Sequence, residues 1–288
     1  MSELISSRRN VLKSALGLAA AATLPAGAFA KGSSKAAVTA TALNDRLLLV
    51  SGLGGNVLAL RSDEGLLLVD TGATGATSKL QSELKKFARG AKIISHAKAA
   101  QRMAIDQYIP WEDRYLKARA RPAVPTEVFY LGKKELKFGG ETIEYGYLQQ
   151  PHTDGDIYVH LRDSNVLVVG DAVSPQADPL ICWYEGGWVG GRVDSQAKLL
   201  AMGNAETRIV AGTAGVISKA EVKTERDALE KVFERMSDAM RKGFTTEDMQ
   251  KAKLLDGLTR TWADPDKFIY DAHKSMWAHY NKLSHTIV

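Results

Sequence analysis

Short apolar runs recur along the chain and are separated by polar, glycine-containing turns, a pattern typical of β-strands. One of them, GLLLVD, is apolar without interruption, which predicts a strand buried on both faces. The runs that predict strands are 46–51, 55–61, 65–70, 91–95, 127–131, 135–138, 141–148, 157–161, 166–169 and 207–211.

Other segments carry apolar residues at spacings of three and four, which predicts amphipathic helices. In 77–89 these residues are Leu80, Leu84 and Phe87. Thr245 and Asp248 have capping-box spacing at the start of a later helix. The remaining helices are predicted over 97–106, 194–203, 219–241 and 264–283.

The strands at 157–161 and 166–169 are joined by a short polar turn at 163–165 and therefore predict a hairpin. His152 precedes the first strand, and Asp171 follows the second. A hairpin brings its two open ends together, so we expect these side chains to converge.

The first thirty residues are typical of a cleaved export signal. Arg8 and Arg9 precede a short alanine-rich apolar run, and Ala28-Phe29-Ala30 provides a small-x-small cleavage site. The twin arginine indicates Tat-type export and a periplasmic location. Removal of residues 1–30 takes away three cationic side chains and one anionic side chain from a net charge of +5, leaving +3. Residues 31–41 are expected to be a disordered lead.

The loop His152-Thr153-Asp154-Gly155-Asp156, followed by Gly170-Asp171 at a strand end, resembles the metallo-β-lactamase superfamily. The resemblance implies an αββα sandwich with mixed sheets flanked by helices over 42–218, and a C-terminal helical extension over 219–288. It also implies metal-ligand positions at His152 and Asp171 and a structural role for Asp70. Thr213 stands where the family has its last ligand histidine.

The chain departs from that family where the remaining metal ligands are expected. The motif His-x-His-x-Asp-His has no counterpart, and no His-x-His occurs anywhere in the sequence. Zinc in a hydrolytic site needs at least three protein ligands and an open position for water. Two ligands predict weak binding at most, so we expect no cofactor, or zinc if any.

Several other side chains are candidates for the site or for structural roles. Trp183, Tyr184 and Trp188 lie on a glycine-rich loop and are expected to line a pocket with Asp70 and Thr213. Cys182 is the only cysteine and is interpreted as a small buried residue, with a reactive thiol as the alternative. Turn-forming roles are expected for Asp154 and Asp156, and structural roles for His96 and His160.

These observations favour a degenerate superfamily member, a pseudoenzyme that binds a small molecule or assists an exported partner protein. The alternative is a metal-dependent hydrolase of an ester, lactam or thioester with a reduced mononuclear site, in which His152 and Asp171 are catalytic. A purely structural partner of an exported enzyme is the third possibility. The charge forms no concentrated basic stripe, so nucleic acid is not an expected partner. No second apolar run reaches the length of a membrane span.

Overall fold

The computed structural model describes residues 38–70, 92–109 and 113–281, with Arg114 and Pro122 described by backbone alone. The predicted signal, the predicted helix at 77–89 and the end of the last predicted helix lie outside these residues. The chain divides into two compact units, Met1–Phe87 and Ala88–Val288. The described architecture is α+β.

The first unit contains an antiparallel four-stranded sheet in chain order. Its strands are β1 (Thr39–Ala42), β2 (Leu47–Ser51), β3 (Val57–Ser62) and β4 (Gly65–Val69). Strand β1 begins at Thr39, inside the segment 31–41 that was expected to be disordered. Its backbone pairs with β2, although its side chains are mostly exposed. Strand β4 is half-exposed rather than buried on both faces.

The second unit contains a six-stranded sheet in the order β14-β13-β12-β11-β10-β9. All neighbours are antiparallel except β12 and β13, which are parallel. The predicted hairpin is confirmed as β11 and β12. The strands are β9 (Lys133–Phe138), β10 (Glu141–Tyr147), β11 (Ile157–Leu161), β12 (Val166–Gly170), β13 (Arg208–Ala211) and β14 (Val216–Ile217).

Two small sheets complete the strands of this unit. One pairs β5 (Ile94–His96) with β8 (Glu127–Phe129) in parallel, and the other pairs β6 (Gln107–Ile109) with β7 (Arg114–Leu116).

Five helices are described, α1 (Ala97–Ala104), α2 (Val189–Leu200), α3 (Lys219–Arg241), α4 (Thr246–Lys251) and α5 (Pro265–Tyr280). The helix predicted at 219–241 is confirmed, and the capping box of Thr245 and Asp248 opens α4. Within the described residues, no helix combines the length and the apolar composition that crossing a membrane requires.

Two clusters of buried apolar side chains are described in the second unit, and α2 contributes to both. Leu199 packs with residues of the six-stranded sheet, including Leu167 and Ile209. Val189 and Val193, at the other end of α2, pack with apolar residues of α3 and α5. Helix α2 therefore joins the sheet to the C-terminal helices.

Glu144 on β10 is the centre of a polar cluster in the same sheet. Its carboxylate accepts a hydrogen bond from Tyr158 Oη at 2.8 Å and another from Lys133 Nζ at 2.9 Å. Arg162 donates a third. Burial raises the pKa of Glu144, but these three donors outweigh it and hold the pKa at about 2.

Candidate functional site

His152 lies in the loop between β10 and β11, and Asp156 shapes that loop. The Asp156 carboxylate accepts hydrogen bonds from the backbone N–H groups of His152 and Thr153, both at 2.8 Å. It also accepts the Thr153 hydroxyl at 2.8 Å. A carboxylate that accepts nearby backbone N–H groups stabilises a tight turn. Asp156 is a turn former here, and it fixes the backbone that carries His152.

A second segment, 182–188, runs alongside this loop and is joined to it by backbone hydrogen bonds. Cys182 N donates to His152 O at 3.0 Å, and Trp188 N donates to Gln150 O at 3.1 Å. At Gly187, a Cβ atom would fall 1.8 Å from His152 O, so only glycine permits this approach. The two segments therefore bring Cys182 to His152 across 30 residues of sequence.

Three side chains from these two segments form a cluster that we call the thiol centre: Cys182, His152 and Tyr184. Cys182 Sγ lies 3.0 Å from His152 Nε2, and Tyr184 Oη donates to the same sulfur at 3.1 Å. Cys182 is 7% exposed and the His152 side chain 16%. The sulfur therefore has two polar partners although it is nearly buried.

The electrostatics of the thiol centre favour a protonated imidazole. Burial lowers the pKa of His152, but attraction to Cys182 and its hydrogen bond, with smaller contributions from Asp156 and Asp171, raise that pKa to about 9. Burial is the largest cause that raises the pKa of the Tyr184 phenol, and the neighbouring Cys182 raises it further. The phenol therefore keeps its proton and acts as a donor.

The two carboxylates near His152 occupy different positions. Asp156 Oδ1 is 4.0 Å from His152 Nδ1, beyond hydrogen-bond reach. Asp171 follows β12, and its carboxylate lies directly against Gly212, which follows β13 and leaves no room for a side chain between them. Because β12 and β13 are parallel, Asp171 and the Gly212-Thr213 turn meet at one edge of the sheet. Thr213 itself is exposed.

The expected pocket aromatics separate into two groups. Trp183 lies edge-on to Tyr184, with ring centroids 5.9 Å apart, beside the thiol centre. Trp188 stacks on His279 of α5 at 3.6 Å, and its ring therefore packs against the C-terminal helices. Asp70 follows β4 in the first unit and has a left-handed φ of 64°.

The described donor set does not fit a resident zinc ion. Within residues 38–70, 92–109 and 113–281, no group of three or more His, Cys, Asp or Glu side chains is arranged to hold a metal. His152 Nε2 faces the Cys182 sulfur.

Other histidines in the described residues have different surroundings. His96 caps α1, and its Nε2 contacts Tyr130 O at 2.7 Å. His160 is buried inside β11. His273 contacts Thr246 at 2.7 Å. The residue that sequence patterns did not assign to the site is Cys182, which no spacing motif connects to His152.

A buried ion pair holds the backbone on both sides of the thiol centre. Arg192 on α2 and Glu225 on α3 are 0% and 2% exposed and lie 3.0 Å apart. Arg192 also donates to Asp171 O at 2.6 Å and to Leu180 O at 3.4 Å. It therefore joins the end of β12 to the segment that leads into Cys182.

Comparisons with known proteins identify the fold. No protein-family model and no curated protein sequence matches the chain. Solved structures that resemble it include a metallo-beta-lactamase from Pontibacter korlensis, with 15% identity, a TM-score of 0.50, and coverage of 67% of this chain and 99% of that one. A metallo-beta-lactamase family protein from Thermus thermophilus matches at 14% identity and a TM-score of 0.54. The match covers 84% of this chain and 95% of that one. The inverting sec-alkylsulfatase from a Pseudomonas species matches at 13% identity and a TM-score of 0.54, and the match covers 84% of this chain.

This chain spans half the length of that sulfatase. At these identities the likeness shows the fold alone. The chain has a metallo-β-lactamase-type α+β fold, as the resemblance implied.

Proposed function

We propose that this chain is an exported, metal-independent member of the metallo-β-lactamase fold that binds a small molecule at the thiol centre. The observation that carries the proposal is the environment of His152. Its Nε2 atom lies 3.0 Å from Cys182 Sγ. Asp171 remains at the second family position, but two positions do not make a zinc site.

The absence of first-motif histidines supports the same conclusion. The sequence contains no His-x-His, and Thr213 replaces the last ligand. In this proposal the chain is a pseudoenzyme, because it does not carry out metal-dependent hydrolysis.

The test is metal content, measured by elemental analysis on chain purified without chelators or added metal. We expect less than a tenth of an equivalent of zinc, iron or manganese, in line with a two-donor site. The variant Asp171→Ala should leave this value unchanged. Near-stoichiometric metal that Asp171→Ala removes, together with hydrolysis of an ester, lactam or thioester that a chelator abolishes, would replace the proposal by the mononuclear hydrolase.

Export is tested separately from metal content. Periplasmic recovery of the chain should be lost when Arg8 and Arg9 are both replaced by lysine, because Tat export requires the arginine pair. The double replacement of Arg226 and Arg235, two arginines of α3, by lysine is the control for loss of arginine elsewhere in the chain. Equal periplasmic recovery of the two double variants would refute Tat export.

A further inference from the structure

The surroundings of Cys182 differ from those of an inert buried cysteine. Such a cysteine packs among apolar side chains, whereas reactive ones have a polar neighbour that accepts or stabilises charge. Cys182 has two such neighbours, an imidazole nitrogen at 3.0 Å and a phenol at 3.1 Å.

These contacts provide the parts that an activated nucleophile needs. A thiol attacks as a thiolate, so a base must lie within reach of its proton. His152 Nε2 is the group within reach of that proton, and the Tyr184 hydroxyl donates a hydrogen bond to the sulfur. Asp156 holds the His152 backbone through two N–H groups, one of them from Thr153. A nucleophile and a proton carrier are therefore in contact, and Asp156 fixes the backbone that carries the histidine.

The centre reaches solvent on its histidine side. The side chains of His152 and Asp156 are 16% and 18% exposed. Leu180, two residues before the thiol, is 47% exposed. An acyl group therefore has to approach the sulfur from the partly exposed histidine side.

Acyl transfer fits this centre better than thiol–disulfide chemistry. Disulfide exchange within a chain needs a second thiol, and Cys182 is the only cysteine. Acyl transfer needs only a nucleophile and a proton carrier, and both are in contact.

We propose that Cys182 is a nucleophile that accepts an acyl group from small esters or thioesters, with His152 as the proton carrier and Tyr184 as the donor to sulfur. The Sγ–acyl carbon bond forms, and the bond from that carbon to the leaving oxygen or sulfur breaks. The proton that leaves the thiol is carried on His152 Nε2, which is thereby protonated, and it passes from there to the leaving group. The product is a Cys182 thioester. This inference rests on the proposed metal-independent site and names the ligand class of that site.

The experiment uses p-nitrophenyl acetate as the probe, with the purified full chain treated with chelator. We expect a burst of one equivalent of p-nitrophenolate per chain, and peptide mass mapping should place one acetyl group on Cys182. Cys182→Ser should abolish the burst. His152→Gln should slow it at least about 100-fold, in the range of a lost general base. Tyr184→Phe, which keeps the ring, should slow it about tenfold, the effect of one hydrogen bond.

Two control variants replace a histidine and a tyrosine elsewhere in the chain. His273→Gln and Tyr270→Phe, both on α5, should leave the burst rate within about twofold of the parent, since the contacts described for these side chains are with Thr246 and Lys274. Thermal unfolding of each variant identifies any that fails to fold, and Tyr184→Phe alone tests the centre if His152→Gln does not fold.

The outcomes separate this inference from the proposed function. A metal-free chain whose Cys182 is acetylated in urea but not in the native state would overturn the inference and leave the metal-independent binding protein standing. Turnover that survives Cys182→Ser and disappears with chelator would overturn both. A burst that depends on Cys182, His152 and Tyr184 in metal-free chain supports both.

Discussion

The replacement Glu225→Gln tests how firmly the segments around the thiol centre are held. Glu225 Oε1 accepts from Arg192 Nε at 3.1 Å and from Gln196 at 2.9 Å, and its Oε2 accepts from Ser174 N at 2.7 Å. Arg192 has no exposed surface. Glutamine conserves the shape but leaves the guanidinium charge buried without a counter-charge.

The expected loss is large because one partner of a buried pair is removed. Breaking such a pair costs about 3–5 kcal/mol, since the remaining charge is not solvated. Glu230→Gln is the matched control on the same helix. Glu230 pairs with Arg226 at 2.9 Å, but its side chain is 44% exposed. Exposed pairs four residues apart contribute about 0.3–0.5 kcal/mol.

Thermal unfolding followed by circular dichroism measures both variants. For a chain of this size, 1 kcal/mol corresponds to about 2–4 °C, so Glu225→Gln should lower Tm by about 6–20 °C and Glu230→Gln by no more than about 2 °C. Equal shifts in Tm for the two variants would refute the reasoning, because burial would then add nothing to the stability that the Arg192–Glu225 pair contributes.

Three further predictions concern the loop, the sheet and a helix start. Gly187→Ala should destabilise the fold by about 1–3 kcal/mol and expose Cys182 to alkylation, since the new Cβ would meet His152 O at 1.8 Å. Unchanged Tm and alkylation rate would contradict it. Glu144→Gln should flatten the acid limb of the stability curve. The depressed pKa of Glu144 contributes stability that is complete above pH 4.5 and lost as pH falls through about 2, worth at most about 3 kcal/mol. An acid limb equal to that of the parent would argue against this contribution. Ser218→Ala, which removes the capping box of α3, should cost about 1 kcal/mol in chemical unfolding, and no loss would show the cap to be dispensable.

Much of the second unit was predictable because its elements follow local rules. The β11–β12 hairpin followed from two apolar runs around a polar turn, and α3 from its helical apolar spacing. The predicted start of α2 was wrong by five residues, because the helix begins at Val189 and not at 194. Gly190 and Gly191 predicted a loop there. In the structure Gly191 admits the carbonyl of Gln149, so its lack of a side chain serves packing rather than breaking the helix.

The site was predictable only in part, because its contacts are not local. His152 and Asp171 could be placed at one end of a hairpin by strand geometry alone. Cys182 could not, since its position depends on backbone pairing between 182–188 and the His152 loop. The interpretation of Cys182 as a small buried residue holds for its burial but missed its polar partners. The grouping of Trp188 with the pocket missed its stacking on His279, a contact across 91 positions in the numbering.

The same geometry connects the missing zinc ligands to the thiol centre. In the proposed metal-free chain, His152 is a polar group that is largely buried, and such a group costs free energy unless it finds a hydrogen-bond partner. Cys182 provides that partner for His152, and Tyr184 in turn satisfies the sulfur. In the proposal, this arrangement stabilises the loop without a metal and leaves a nucleophile in contact with its proton carrier. For this reason burial of the cysteine and its reactivity are not competing interpretations: the contacts that make Cys182 tolerable inside the fold are those that activate it.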